Sequence, residues 1–196
     1  AIGNLAGNDT QGTAAVAIGS DAGKTTQGNY AIAVGRTAGQ TTQGAETVAV
    51  GHLAGNNTQG NYAVAVGVNA GQTTQGISTV AVGISAGNSG QGTAAVAVGT
   101  TAGQTNQGGS AVAVGVASGT TTQGTLATAV GYYAGNSAQG GSAVSVGQQA
   151  GQITQGNYGV AVGSFAGMTN QGANGILINS TGAALNDTSV GHIRLK

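Results

Sequence analysis

Gln11-Gly12-Thr13-Ala14-Ala15-Val16-Ala17-Ile18-Gly19 is the stretch whose reading decides the fold. Sixteen residues later Gln27-Gly28 leads into Ala31-Ile32-Ala33-Val34-Gly35, and the unit returns without insertion or deletion to Gln171-Gly172, eleven Gln-Gly steps in all. A strict period in this range marks a solenoid or array and outranks local propensity. Within the unit, Val16 and Ile18 alternate with Ala15 and Ala17, the period of a short β-strand. Gly19 turns the chain, Ala22-Gly23 bends it again, and Thr25-Thr26-Gln27 forms a second short strand. The expected fold is all-β: a parallel β-roll or solenoid of eleven 16-residue coils over residues 1–178, with 179–196 as a C-terminal exit or connector segment. Parallel strands about 4.8 Å apart give eleven coils a length of roughly 50 Å.

Composition agrees. The chain has 196 residues, 40 of them Gly, with no Pro, Cys or Trp. Three ranks starting at Gly3, Gly7 and Gly12 hold 33 of the 40 glycines, so the glycine is phased, as corners or close backbone approach require. Net charge is zero, which excludes a basic face for nucleic acid or anionic lipid. No apolar run reaches the roughly 18 residues of a membrane span. The sequence begins in mid-repeat without Met and shows no signal peptide, as expected of a fragment of a longer protein.

The ranks carry distinct expectations. Val or Ile fills the Val16 position in ten of eleven copies, Thr128 being the exception, and the Ile18 position in all; both are expected to point into the coil. The alternate rank Ala17, Ala33, Ala49, Ala65, Ala81, Ala97, Ala113, Ala129 and Ala161, broken by Ser145 and Leu177, is then expected outside, kept small by another copy of the chain. The rank Gln11, Gln27, Gln43, Gln59, Gln75, Gln91, Gln107, Gln123, Gln139, Gln155 and Gln171 is expected to form a side-chain amide ladder, as in cross-β stacks. Two buried valines per turn are little apolar burial for sixteen ordered residues. Oligomerisation is the expected remedy.

Ala63-Val64-Ala65-Val66-Gly67, followed after two residues by Ala70-Gly71, resembles the YadA-like head repeats of trimeric autotransporter adhesins and related viral and phage fibre proteins. The resemblance spans residues 1–178. It implies a left-handed parallel β-roll, three of which pack side by side as a homotrimer outside a cell or virion. The bacterial heads tend to carry Asn-Ser before the strand and shorter, less regular repeats. The strict period and the Gln-Gly step lean toward a viral or phage fibre.

Little in the chain suggests catalysis. His52 and His192 are the only histidines, there is no cysteine nucleophile, and no two acids share a position in adjacent turns. No enzyme activity, cofactor or metal is expected. Binding is sought where the repeat varies. Tyr30, Glu46 and Tyr62 occupy one position in consecutive turns, with Tyr158 six turns later; Arg36, His52, Tyr132 and Tyr133 follow the corner glycine. Tyrosine beside a carboxylate suits a sugar or protein partner, so a host-surface protein or glycan is the expected ligand. A passive spacer is the alternative. An ice-binding solenoid is a weaker one, because the rank Thr10, Thr26, Thr42, Thr58 and Thr74 has Gly12-type residues two places on and breaks at Gly90, Asn106 and Ala138. Asn8, Asn56, Asn179 and Asn186 open glycosylation triplets.

Charge is confined to the ends: Asp9, Asp21, Lys24, Arg36 and Glu46 lie in the first turns, and no acidic or basic residue occurs between Ala54 and Asn186. The folded shaft is therefore predicted to resist trypsin. Rapid fragmentation inside the repeats on a time-course gel would contradict this.

Overall fold

A computed structural model describes all residues, 1–196. The chain is an all-β parallel solenoid without helices. One face is a twelve-stranded parallel sheet built from the three-residue strands Val16–Ile18, Ile32–Val34 and their successors to Ile193–Leu195. Register is strict: Val80 pairs with Val96, Ala81 with Ala97 and Val82 with Val98. The opposite face carries the Thr-Gln strands, seven from Thr10–Gln11 to Thr105–Gln107 and three from Ser137–Gln139 to Thr169–Gln171. Single bridges at Gln123 join the two groups. We refer to these as the valine sheet and the glutamine sheet.

The two faces of the valine sheet are the reverse of the expectation. Ala17, Ala33, Ala49, Ala65, Ala81, Ala97, Ala113, Ala129 and Ala161 are all fully buried within a single chain. They pack against the corner rank Ala22, Ala38, Ala54 and onward. The valines point outward, half-buried against their neighbours along the stack, with Val16 40 % exposed and Ile18 39 % exposed at the first turn. The Ala rank is therefore the lining of each coil and not an oligomer face. The reason is the width of the interior. A glutamine side chain spans it: Gln27 Nε2 donates to Val16 O at 2.7 Å and to Ala31 O at 3.2 Å on the opposite sheet. Branched residues need the roughly 10 Å spacing of ordinary stacked sheets, and one glutamine cannot bridge that. Methyl groups are what fits. Where the third lining rank holds Thr47 and Thr79 in place of Ala, their hydroxyls donate to Gly44 O and Gly76 O, so no buried polar group is left without a partner there.

The glutamine rank is buried from Gln27 to Gln171, with Gln11 exposed in the first turn. Its amide ladder is only half present. Nε2 donates to the next Oε1 from Gln107 to Gln123, Gln139, Gln155 and Gln171, at 3.0–3.2 Å. From Gln27 to Gln91 the donors go to main-chain carbonyls alone, and the Oε1 atoms of Gln27, Gln43, Gln59, Gln75 and Gln91 have no donor in reach. The expected ladder is therefore corrected for this half. The carbonyl bonds are common to both halves, Gln107 Nε2 reaching Val96 O and Ala111 O as well as Gln123 Oε1, and the amide contact is added from Gln107 on.

Glycine sits where coils touch. A Cβ on Gly19, at φ +127°, would lie 2.5 Å from Gly35 O of the next coil. One on Gly23, at φ +53°, would lie 2.7 Å from Gln27 Oε1 inside its own coil. The first excludes side chains between coils, the second within them, as phased glycine implied.

Beyond Ile178 the chain does not leave the roll. Residues 179–196 wind a twelfth, looser turn in which Ile193–Leu195 pairs with Ile176–Ile178 at a spacing of 17 residues. The end of the lining is filled by larger side chains: Leu177 replaces alanine and is fully buried, beside Leu185 at 9 % exposure. Asn179 replaces the corner glycine and donates to Ser164 O and Ala183 O.

The lining makes a stability prediction. Ala81→Val should lower stability by about 1–3 kcal/mol through overpacking, whereas Thr74→Val on the exposed outer face should stay within about 0.5 kcal/mol. Denaturant titration of both variants checks this, and a stabilised Ala81→Val would overturn the inward alanines.

Candidate interaction surfaces

Two corners flank the valine sheet. The entry corner precedes each strand and carries Ala14, Tyr30, Glu46, Tyr62 and their successors; the exit corner follows it, with Arg36-Thr37, His52-Leu53 and Tyr132-Tyr133. Both hold non-glycine residues in the left-handed region, Tyr30 at φ 58°, Glu46 at 57° and Tyr62 at 62° on the entry side, Thr37 at 55° and Tyr133 at 56° on the exit side. Backbone bonds between coils hold them there: Tyr30 N donates to Thr13 O, Glu46 N to Asn29 O and Tyr62 N to Ala45 O. Because these bonds use main-chain atoms, the side chains are free to vary.

The candidate binding residues divide between these corners. Tyr30, Glu46 and Tyr62 are successive neighbours on the entry corner, as their spacing required, with Tyr158 on the same corner six coils on. The three tyrosines are 61 %, 56 % and 63 % exposed. Arg36, His52, Tyr132 and Tyr133 lie on the exit corner, so the eight do not form one patch in a single chain. His52 does sit beside Arg36, whose guanidinium Nη2 donates to His52 Nε2 at 2.5 Å. Tyr132 and Tyr133 meet edge to face, ring centroids 4.5 Å apart.

Sequence reading missed the asparagines that precede these tyrosines. Oδ1 of Asn29, Asn61 and Asn157 accepts from the backbone N–H of Thr13, Ala45 and Gly141 one coil earlier. The recurring Asn-Tyr doublet was the signal: Asn stitches the corner, Tyr is displayed. Two glycosylation triplets are likewise accounted for. Asn56 and Asn179 are buried at 7 % and 3 % exposure, with their Nδ2 groups engaged by Thr37 O and Ser164 O.

The glutamine sheet presents a second regular surface. Thr25-Thr26, Thr41-Thr42 and Thr73-Thr74 are exposed at both positions, so the expected threonine rank has a partial second column, interrupted by Asp9 and Asn57. They end at Gly90, where the position turns to φ +74°, followed by Asn106 at 52° and Ala138 at 57°. The break in the threonine rank is thus a change of backbone geometry, from two-residue to three-residue strands.

No pocket indents the surface, and no three His, Cys, Asp or Glu side chains gather as a metal site. No family model, curated protein or solved structure matches the chain.

Asp187 fastens the twelfth turn. It accepts from Ser189 N at 2.9 Å and pairs with Arg194 Nε at 3.1 Å and His192 Nδ1 at 3.5 Å. The Ser189 hydrogen bonds, then Arg194 and His192, hold its carboxyl below the usual carboxylate range. A lowered folded value stabilises the turn above the unfolded pKa and loses that contribution as pH falls through the folded one. Hydrogen exchange should therefore show protection of Gly172 and Ile176 amides falling on acidification below the usual carboxylate range, with the shaft unchanged. Asp187→Asn should show the same loss at neutral pH.

Proposed function

We propose that the chain is a side-by-side homotrimeric fibre head or shaft, built on a left-handed roll and exposed outside a cell or on a virion, that mediates attachment without catalysing a reaction. One observation carries this reading: the outward valine sheet. Two unbroken ranks of Val and Ile, with a single Thr128, cover a stripe of about 500 Å² on the strand dimensions, the size at which an exposed apolar patch marks an interaction site. Its regularity and length match a second copy of itself better than an irregular globular partner. The residues that vary sit at the corners beside it, where a fibre would display them to a host-surface protein or glycan. The repeat's likeness to YadA-type heads and viral fibres supports the same reading.

A passive spacer would share the assembly and lack the binding. An ice-binding face is a further, weaker reading, because the Thr-Thr pair is present in only three of the first five coils; thermal hysteresis in solution would detect it. For the fibre, light scattering should give three times the 18.3 kDa chain mass, and Val112→Asp on the outward face should lower it. The assembled fragment should bind host cells or glycans, and Tyr62→Ala with Tyr158→Ala should weaken binding at unchanged mass. A monomer would overturn the trimer; an assembled fragment that binds nothing would leave the spacer.

A further inference from the structure

Arg36 and Glu46 make no salt bridge within the chain: Arg36 is bonded to His52 and attracts Asp21 only through space, while Asp21 pairs with Lys24 at 2.9 Å. Both are exposed, on opposite edges of the same outward sheet. Glu46 precedes strand Val48–Val50 and His52 follows it, a span of six residues that at strand rise is about 20 Å. Arg36 ends the strand one coil before. These groups therefore cannot meet inside one chain. They lie at matched heights on the two edges of the face that assembly would cover.

We infer that Glu46 of one chain pairs with His52 and Arg36 of a second copy, across a seam in which copies stand side by side without axial shift. The inference rests on the side-by-side assembly proposed above and specifies its register. In a closed ring the contact is heterologous, so the entry corner of each chain faces the exit corner of the next. At zero shift Glu46 stands level with the neighbour's His52, with Arg36 one coil, about 4.8 Å, away. The facing acid on that wall, Asp21, lies two coils off and is already paired with Lys24. Tyr30 falls level with Arg36, placing a cation beside an aromatic ring.

Other levels match as well. Leu126, 61 % exposed, stands opposite Tyr132, 52 % exposed, both apolar bodies that a single chain leaves in water. Ser142 stands opposite Gln148, polar against polar. Ser78 against Ile84 shows no such match. A shift of one coil that set Glu46 level with Arg36 would keep the charge pair and bring Leu126 against Val116, but would leave Tyr132 opposite Ser142; the opposite shift would set Glu46 against Val68 and lose the pair. The seam also gathers the eight variable residues that one chain holds on two separate corners, so recognition positions from two copies would share one groove.

The chain has no native cysteine, which makes the seam directly testable. Glu46→Cys/His52→Cys in the full chain, oxidised at low protein concentration, should give covalent dimers and trimers on a non-reducing gel. The control Glu46→Cys/Thr42→Cys, with one thiol on the glutamine sheet, should not. Arg36→Glu and Glu46→Arg alone should each raise the concentration at which the assembly dissociates, and together restore it at least severalfold. A wild-type assembly by light scattering whose double-cysteine variant gives no chain-to-chain bond overturns the seam and leaves the assembly standing. A wild-type monomer overturns both.

Discussion

The structure depends on one interaction: the amide of a buried glutamine reaching across the coil to main-chain carbonyls of the opposite sheet. Gln59 Nε2 bonds Val48 O at 2.9 Å and Ala63 O at 3.1 Å, so a single side chain ties two successive coils of the valine sheet to the glutamine sheet. Buried polar groups are costly unless paired, and here both N–H groups find acceptors. The bridge sets the gap between sheets at one glutamine. Every lining position must then be small: alanine on the strand, alanine at the bend, and glycine where the amide itself comes to rest. Gly55 shows this, since a Cβ there would meet Gln59 Oε1 at 2.8 Å.

A thin interior has an outward consequence. Alternation along the strand places the branched residue on whichever face has room, and the lining has none. The valines are expelled, and the chain gains little from burying large apolar side chains. Its own cohesion comes mainly from main-chain hydrogen bonds between coils and from close packing of methyl groups. The apolar surface that a globular protein would hide is instead presented on the outward face of the sheet, a consequence of the same constraint that narrows the coil.

The period, the parallel stacking, the two strands per coil and the role of phased glycine were all legible in the repeat. The persistence of alanine at Ala17 and its successors was also read correctly as a sign of close packing. The direction of that packing was not legible from alternation, which distinguishes two faces without saying which is inside. Size was the missing argument: sixteen residues with two short strands and a buried glutamine leave no width for valine. The amide ladder was half legible for a related reason. Side-chain amides stacked at coil spacing can pair, and from Gln107 on they do so in addition to bonding the carbonyls across the gap, a geometry that appears only in three dimensions. The eight variable residues lie on exposed or half-buried corners in the coils their spacing gave, yet the repeat could not show that the valine sheet separates them.

The corners explain how such a rigid repeat can still vary. Ala14, Tyr30, Glu46, Tyr62 and Ser78 share nearly one backbone conformation, φ from 55° to 62°, although none is the glycine or asparagine that left-handed geometry favours. The strain is common to all of them, so exchanging one side chain for another there changes little in the coil. It is imposed by inter-coil main-chain bonds, which no substitution at the position itself removes except proline, lacking the N–H. Inside the coil the opposite holds, since each lining residue is fixed by the glutamine gap. Construction and variation are thereby assigned to different atoms: the repeat is kept by what faces the amide, and the sequence varies where the side chain faces away from it.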